Sequence, residues 1–180
     1  YPPIPVAVWL VKDGEEWTLI DAGTPQFAAA VPDAVARFLG AIRPSRIVLT
    51  HAHYDHGGAL AELVKRWNTP IWAHADEVGF VTGANGYRKI ESRNVVFNLS
   101  KRMLNASVWR LPVARALQEG DAAGGMDVIH VPGHTPGMIA LHHRADRAII
   151  CGDTFMNLGG KLSAPFSMAT PDPAAARRSM

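Results

Sequence analysis

The chain has 180 residues, 48% of them hydrophobic and 19% charged, with 13 Pro and five Trp. That is enough for one domain with its own core, and it excludes disorder as the general state. The 18 Lys and Arg against 16 Asp and Glu give a formal net charge of +2. The basic residues are scattered, so no nucleic-acid footprint is present. The one cysteine, Cys151, cannot form an internal disulfide and favours a reducing compartment, the cytoplasm first. No apolar run approaches the ~20 residues of a membrane span, so no membrane partner is expected.

Val6 to Lys12 and Trp17 to Asp21 read as a hairpin turning through Asp13-Gly14-Glu15-Glu16. Gln26 to Leu39 has helical composition, and Pro32 within it implies a kink or a late start. Arg46 to Thr50 is a short buried-type strand that runs straight into HAHYDHGG, and Ala59 to Trp67 is the helix after it. Ile71 to Ala73 is a further strand. From Asp76 to Ala106 the pattern weakens, breaks at Gly83-Ala84-Asn85-Gly86 and turns partly helical from Tyr87 to Leu104, which reads as an excursion over a site. Met126 to Val131, Met138 to His142 and Ala148 to Cys151 are strands, separated by Pro132 to Gly137 and by the turn Arg144 to Arg147. Strands and interleaved helices give an α/β chain with mixed sheets. Asp172-Pro173 caps a last helix through Ala174 to Arg178, which has no stop signal before Met180. The chain also opens on Tyr1 without a charged leader, so a trimmed or processed start and an end inside an element are expected.

His51, His53, Asp55 and His56 crowd six consecutive positions, the concentration of imidazole and carboxylate that a transition-metal site uses. Residues two apart at a strand end point the same way, so His51 and His53 form a pincer on one cation. Asp55 and His56, past the strand end, can turn toward a second position. Gly57-Gly58 permits the turn into the next helix. The alternative is a histidine-rich surface loop, which would not require three imidazoles and a carboxylate at this spacing. His134, within PGHTPG, and Asp153, behind Gly152, each follow a strand end. A carboxylate there can bridge two cations. His74, His130, His142 and His143 read as structural or surface residues, with His130 close enough to brace the metal loop. Cys151 reads as core.

LIDAGTP at Leu19 to Pro25, THAHYDHGG at Thr50 to Gly58, PGHTPG at Pro132 to Gly137 and CGDT at Cys151 to Thr154 resemble the successive motifs of the metallo-β-lactamase superfamily. The resemblance implies a four-layer αββα sandwich spanning 1–180 as a single domain, incomplete at its C-terminus, with metals at one edge. It makes His51, His53 and His134 ligands of a first metal, Asp55 and His56 of a second, Asp153 a bridge between them, and Asp21 a carboxylate that braces the metal loop. The superfamily draws another histidine for the second metal from a later loop, and this chain has none after His143. Truncation, or a second metal weakly held or absent, are the alternatives.

The resemblance implies two divalent cations, zinc first with iron and manganese as alternatives, and a water ionised between them as the nucleophile. Asp55 and Asp153 are the catalytic carboxylates, with Asp55 placed to take or return the proton. The expected activity is hydrolysis of an ester, lactone or thioester, with amide also open; the alternative is a mononuclear iron oxidoreductase acting on a sulfur substrate. A small-molecule pocket is expected from Phe155, Met156, Leu158 and Phe166, with Met168 and, from the excursion, Phe80, Val81, Tyr87 and Phe97; the same residues could instead be core. Some superfamily lactonases carry a tyrosine where this chain has Met156, which points away from that branch. The apolar loops serve equally as a homodimer interface or a substrate lid.

Overall fold

The computed structural model describes residues 6–86, 90–100 and 109–180, with only the backbone of Ser100 and Leu158. Tyr87 and much of the helix expected up to Leu104 lie outside the described residues. Among those described, no helix is long and apolar enough to cross a membrane.

β1 (Trp9–Asp13) and β2 (Glu16–Ile20) form the expected hairpin, with Trp9 opposite Ile20 and Asp13 opposite Glu16. The turn is tighter than the sequence suggested because Gly14 takes φ 58°, the left-handed conformation that two-residue hairpin turns demand. β3 (Arg46–Val48), β4 (Ile71–His74) and β5 (Val113–Leu117) run parallel to β2, in the order β1-β2-β3-β4-β5. Nothing in the sequence marks β5, whose Val-Ala-Arg-Ala-Leu lacks a β-branched run. Its Arg115 and the Arg46 of β3 each lie over the Trp72 ring, 4.8 and 4.9 Å from its centroid, so cation and stem replace the missing apolar residue.

The second sheet is antiparallel, β6 (Ala122–Ala123), β7 (Met126–His130), β8 (Ile139–His143) and β9 (Ala148–Ile150) in sequence order. A small hairpin, β10 (Met156–Leu158) with β11 (Lys161–Ser163), replaces the plain loop expected after Asp153.

α1 (Ala30–Leu39) settles the proline question as a late start. Pro32 falls in the first turn, where its missing N–H has no helical partner to lose. α2 (Tyr54–Gly57) is a single turn where the sequence implied only a bend, and α3 (Leu60–Trp67) follows. Within the excursion lie α4 (Ala75–Thr82), not foreseen, and α5 (Val95–Ser100). α6 (Pro173–Ser179) is capped as expected, Asp172 Oδ1 accepting from the N–H of Ala174 and Ala175 at 3.1 and 2.9 Å.

Alternation along the first sheet divides its side chains between two cores. Leu19 and Ile47 face helix residues such as Val35 of α1 and Leu63 of α3, while Ile20 and Val48 face Met126, Val128 and Ile139 of the second sheet. Phe80 and Val81 belong to the helix-side core and Phe97 is fully buried, so these three are core rather than pocket residues. Cys151 packs with Ile129 against Val131, Met138 and Ala140, in keeping with its core reading. α6 lies against the loop after β7. A Cβ on Gly133 would stand 2.1 Å from the backbone nitrogen of Ala176, so only glycine allows this approach. The layers thus run helix, sheet, sheet, helix, an αββα sandwich. At one edge the sheets meet directly, Ile139 N–H donating to Thr50 O at 2.9 Å.

Candidate metal centre

That edge gathers the polar residues. His51 and His53 follow β3, His56 sits on α2, His134 follows β7 and Asp153 lies in the short 3-10 turn behind β9. One donor atom from each of His51, His53 and His134 lies within 4.8 Å of the others, and so do those of His51, His56 and Asp153. The two groups share His51. Asp153 joins them physically, its Oδ1 3.0 Å from His56 Nε2 and its Oδ2 3.3 Å from His134 Nε2. Asp55 belongs to neither group, although its Oδ2 comes to 4.0 Å from His56 Nε2.

Asp21 ties the first loop together from beneath. Its Oδ1 accepts the Thr50 N–H at 2.8 Å, and its Oδ2 accepts from the Thr50 hydroxyl and faces His56 Nδ1, both at 2.7 Å. Asp21 adopts φ 62°, the left-handed conformation that aspartate and asparagine enter more readily than other residues with a Cβ.

Electrostatics separates the rings. Burial first, then the neighbouring His56 and His53, holds His51 well below the ordinary pKa of 6.5; burial and His134 do the same to His53. Burial opposes charge on His56 as well, but Asp21 and Asp153 outweigh it and hold its pKa well above 6.5. Asp153 is also resisted by burial, and the adjoining His134 and His56 keep its carboxyl far below the usual range. Neutral His51 and His53 beside the ionised Asp153 match the protonation state a metal requires, whereas His56 has to release a proton to bind one. His134 Nε2 is buried and lacks hydrogen-bond alignment even toward Asp153, an orphaned donor atom that a cation would satisfy. The nitrogen and oxygen donor set therefore fits a transition metal.

A third group, His74, Asp76 and His130, is close enough on distance alone. Its two rings stack at 4.1 Å with planes 15° apart, so their in-plane lone pairs run side by side and do not converge on one ion. His74 Nδ1 accepts from the N–H that opens α4, and His130 Nε2 faces Pro136 O at 2.9 Å. Each ring thus has a backbone partner in the structure. His142 and His143 sit half-buried on β8 beside Asp127 and Asp146.

Of the expected pocket residues, Phe155 and Met156 are half-buried and Phe166 and Met168 exposed, and the Leu158 side chain lies outside the described atoms. Three residues escaped the sequence. Glu77 of α4, fully buried, accepts the N–H of Ala52 at 2.8 Å and of Gly137 at 2.9 Å, joining the two histidine loops. Burial pushes its pKa up. Thr50 and Thr170 contact His51 and His134, each with Oγ1 at 3.1 Å from Nδ1. A polar residue in an apolar helix face was the only available sign of Glu77; the threonines gave none.

The family model described as Metallo-beta-lactamase superfamily matches residues 1–180. The chain belongs to the metallo-beta-lactamase superfamily. Among its members the chain is similar to the probable metallo-hydrolase YybB of Bacillus subtilis (strain 168), 31% identical over 94% of this chain and 70% of that protein. It is similar also to the probable metallo-hydrolase YflN of the same organism, 33% identical over 84% of this chain and 60% of that protein. The acyl-coenzyme A thioesterase MBLAC2 of Bos taurus is 27% identical over 81% of this chain and 57% of its own length. The chain therefore spans between a little over half and 70% of these relatives. Among solved structures, TTHA1623 in a di-iron-bound form superposes with a TM-score of 0.72 at 29% identity, covering 99% of this chain and 81% of its own. These likenesses make the chain a metallo-hydrolase-type member of the superfamily, an enzyme by family.

Proposed function

We propose that this superfamily member is a dinuclear metal-dependent hydrolase of one domain, cleaving an ester, lactone or thioester, the thioester first. The observation that carries the reading is the pair of donor groups, His51-His53-His134 and His51-His56-Asp153, joined at His51. In this reading His51, His53 and His134 would hold one cation, and His56 with Asp153 and the nearby Asp55 would hold the other. Bound zinc or a similar cation supplies Lewis acidity and a water that ionises near neutral pH. Asp55, partly exposed beside His56, exchanges the proton with the leaving group. Asp21 fixes the His56 ring. Phe155 and Met156, just beyond Asp153-Thr154, offer apolar surface to an acyl chain together with Phe166. A thioester is supported by the names of two relatives, the acyl-coenzyme A thioesterase and the hydroxyacylglutathione hydrolase of Dechloromonas aromatica (strain RCB), 26% identical over 84% of this chain and 44% of that protein.

Metal analysis and turnover test the reading together. The purified chain, stripped and reloaded with zinc, iron or manganese, is expected to retain about two cations and to hydrolyse acyl-coenzyme A or acylglutathione thioesters ahead of lactones. His53→Ala should abolish that turnover. Metal binding without hydrolysis of any of the three classes overturns the proposal. Iron is the second metal reading, supported by the di-iron neighbour. One iron with oxidation of a sulfur substrate makes the chain an oxidoreductase instead.

A further inference from the structure

Thr50 and Thr170 each place a hydroxyl between a histidine and a second hydrogen-bond acceptor. Thr170 Oγ1 donates to the carbonyl of Phe166 at 2.9 Å, and the same oxygen lies 3.1 Å from His134 Nδ1. A threonine has one hydroxyl proton. With that proton on the Phe166 carbonyl, the oxygen can only accept, an arrangement that favours a proton on His134 Nδ1. Its Nε2, 3.3 Å from Asp153 Oδ2, is then the nitrogen left for a cation, and in the metal-free chain the threonine contact competes with that carboxylate for the ring proton. The relationship recurs across the site: Thr50 Oγ1 donates to Asp21 Oδ2 at 2.7 Å and lies 3.1 Å from His51 Nδ1, while His51 Nε2 lies 3.0 Å from His53 Nδ1 and accepts there when His51 carries its proton on Nδ1. The exposures of Thr50 and Thr170 are 0% and 1%, so water does not compete for either oxygen. Asn94 holds the Thr170 segment in place, its Nδ2 donating to the carbonyls of Ser167 and Thr170 at 2.8 and 2.7 Å.

We propose that Thr50 and Thr170 are positioning residues that lock His51 and His134 in the Nδ1–H tautomer, so that both rings present Nε2 to a metal ion. The proposal rests on the reading above of these histidines as ligands. Which ring nitrogen is free to bind is set by the hydrogen bond that the other makes. The two locks are built differently. Thr50 is the neighbour of its histidine and is oriented by Asp21, whereas Thr170 reaches His134 across 36 residues through a turn at the foot of α6.

The test needs no turnover. In the metal-free chain with 15N-labelled histidine, at pH 8, imidazole NMR is expected to show His51 and His134 protonated on Nδ1. Assignments come from His51→Ala and His134→Ala. T170V, which keeps the shape and loses the hydroxyl, should move His134 toward Nε2–H and weaken zinc binding about 10- to 100-fold. T170S, which restores donor and acceptor, should recover both. T50V and T50S should do the same for His51. Nε2–H on His134 in the wild-type chain overturns the proposal, and so does wild-type zinc affinity in T170V. Equal loss in T170V and T170S with Nδ1–H retained also overturns it, because the threonine then acts by packing. If T170V does not fold, the wild-type tautomer and T170S decide. Unchanged zinc affinity in His134→Ala overturns instead the assignment of His134 as a ligand, a failure distinct from that of the threonine lock.

Discussion

Glu77 accepts the backbone N–H of Ala52, the residue between His51 and His53, at 2.8 Å. Its other oxygen accepts Gly137 N–H on the His134 loop at 2.9 Å, so one buried carboxylate sets the distance between two strand-end loops from different sheets. Glu77→Ala leaves both N–H groups buried without partners, at ~1–3 kcal/mol each. Part of that is offset, because burial already disfavours the charged carboxylate. The expected net loss is about 2–3 kcal/mol in urea unfolding of the metal-free chain, and about half of that for Glu77→Gln, which keeps one acceptor. A wild-type midpoint for Glu77→Ala would remove Glu77 from the account of the site.

Asp21→Asn separates charge from geometry. Asparagine tolerates the φ of 62° and keeps one oxygen for the Thr50 N–H, so the loop should survive. The amide cannot balance charge on His56 as the carboxylate does. Zinc affinity, measured against a competing chelator, is expected to fall about 10- to 100-fold. Unchanged affinity would show that His56 needs no anionic support.

The contrast between these two carboxylates shows what the sequence could disclose. His51, His53, Asp55 and His56 were legible because six consecutive positions at a strand end carry the whole pattern locally. His134 and Asp153 were legible because proline and glycine breaks mark the strand ends that hold them. Glu77 and Thr170 act on residues 60 and 36 positions away, and nothing beside them in the chain reports that contact. The fold divides in the same way. The hairpin followed from its glycine turn and the buried strands from short apolar runs, while β5 escaped because two arginines flanking Trp72 supply its cover. α4 escaped because its first turn is capped by a histidine side chain, His74, outside the usual capping residues.

Gly58 fixes the angle between the helical turn carrying His56 and the helix after it. A Cβ there would stand 2.3 Å from the carbonyl oxygen of Tyr54 and 2.4 Å from Pro25 Cδ, neither of them the end of a flexible side chain. Gly58→Ala must therefore shift α2 itself. The expected cost is about 1–3 kcal/mol in thermal unfolding, with Asp55 and His56 displaced. The second metal should then be lost before the first when the loaded chain is titrated with chelator. Simultaneous loss of both, at wild-type stability, would contradict this.

The metal-free chain should be most stable close to pH 6.5, and opposite signs on neighbouring histidines are the reason. His51 and His53 have folded pKa values below 6.5. The unfolded chain thus binds protons more readily at these two positions, and their contribution is present above pH 6.5 and lost as pH falls through the folded values. His56 has a folded pKa above 6.5, so its contribution is complete below pH 6.5 and is lost as pH rises through the folded value. Asp153 adds a further loss on the acid side, because its depressed carboxyl gives up stability only below its ordinary 3.8. Thermal unfolding after chelation, followed from pH 5 to 9, should trace a maximum, and His56→Gln should remove the alkaline limb and ease the acid limb in part, because His56 also holds down His51 and His53. A flat profile in the wild-type chain would mean that the imidazoles do not hold these opposed charge states when no metal is bound.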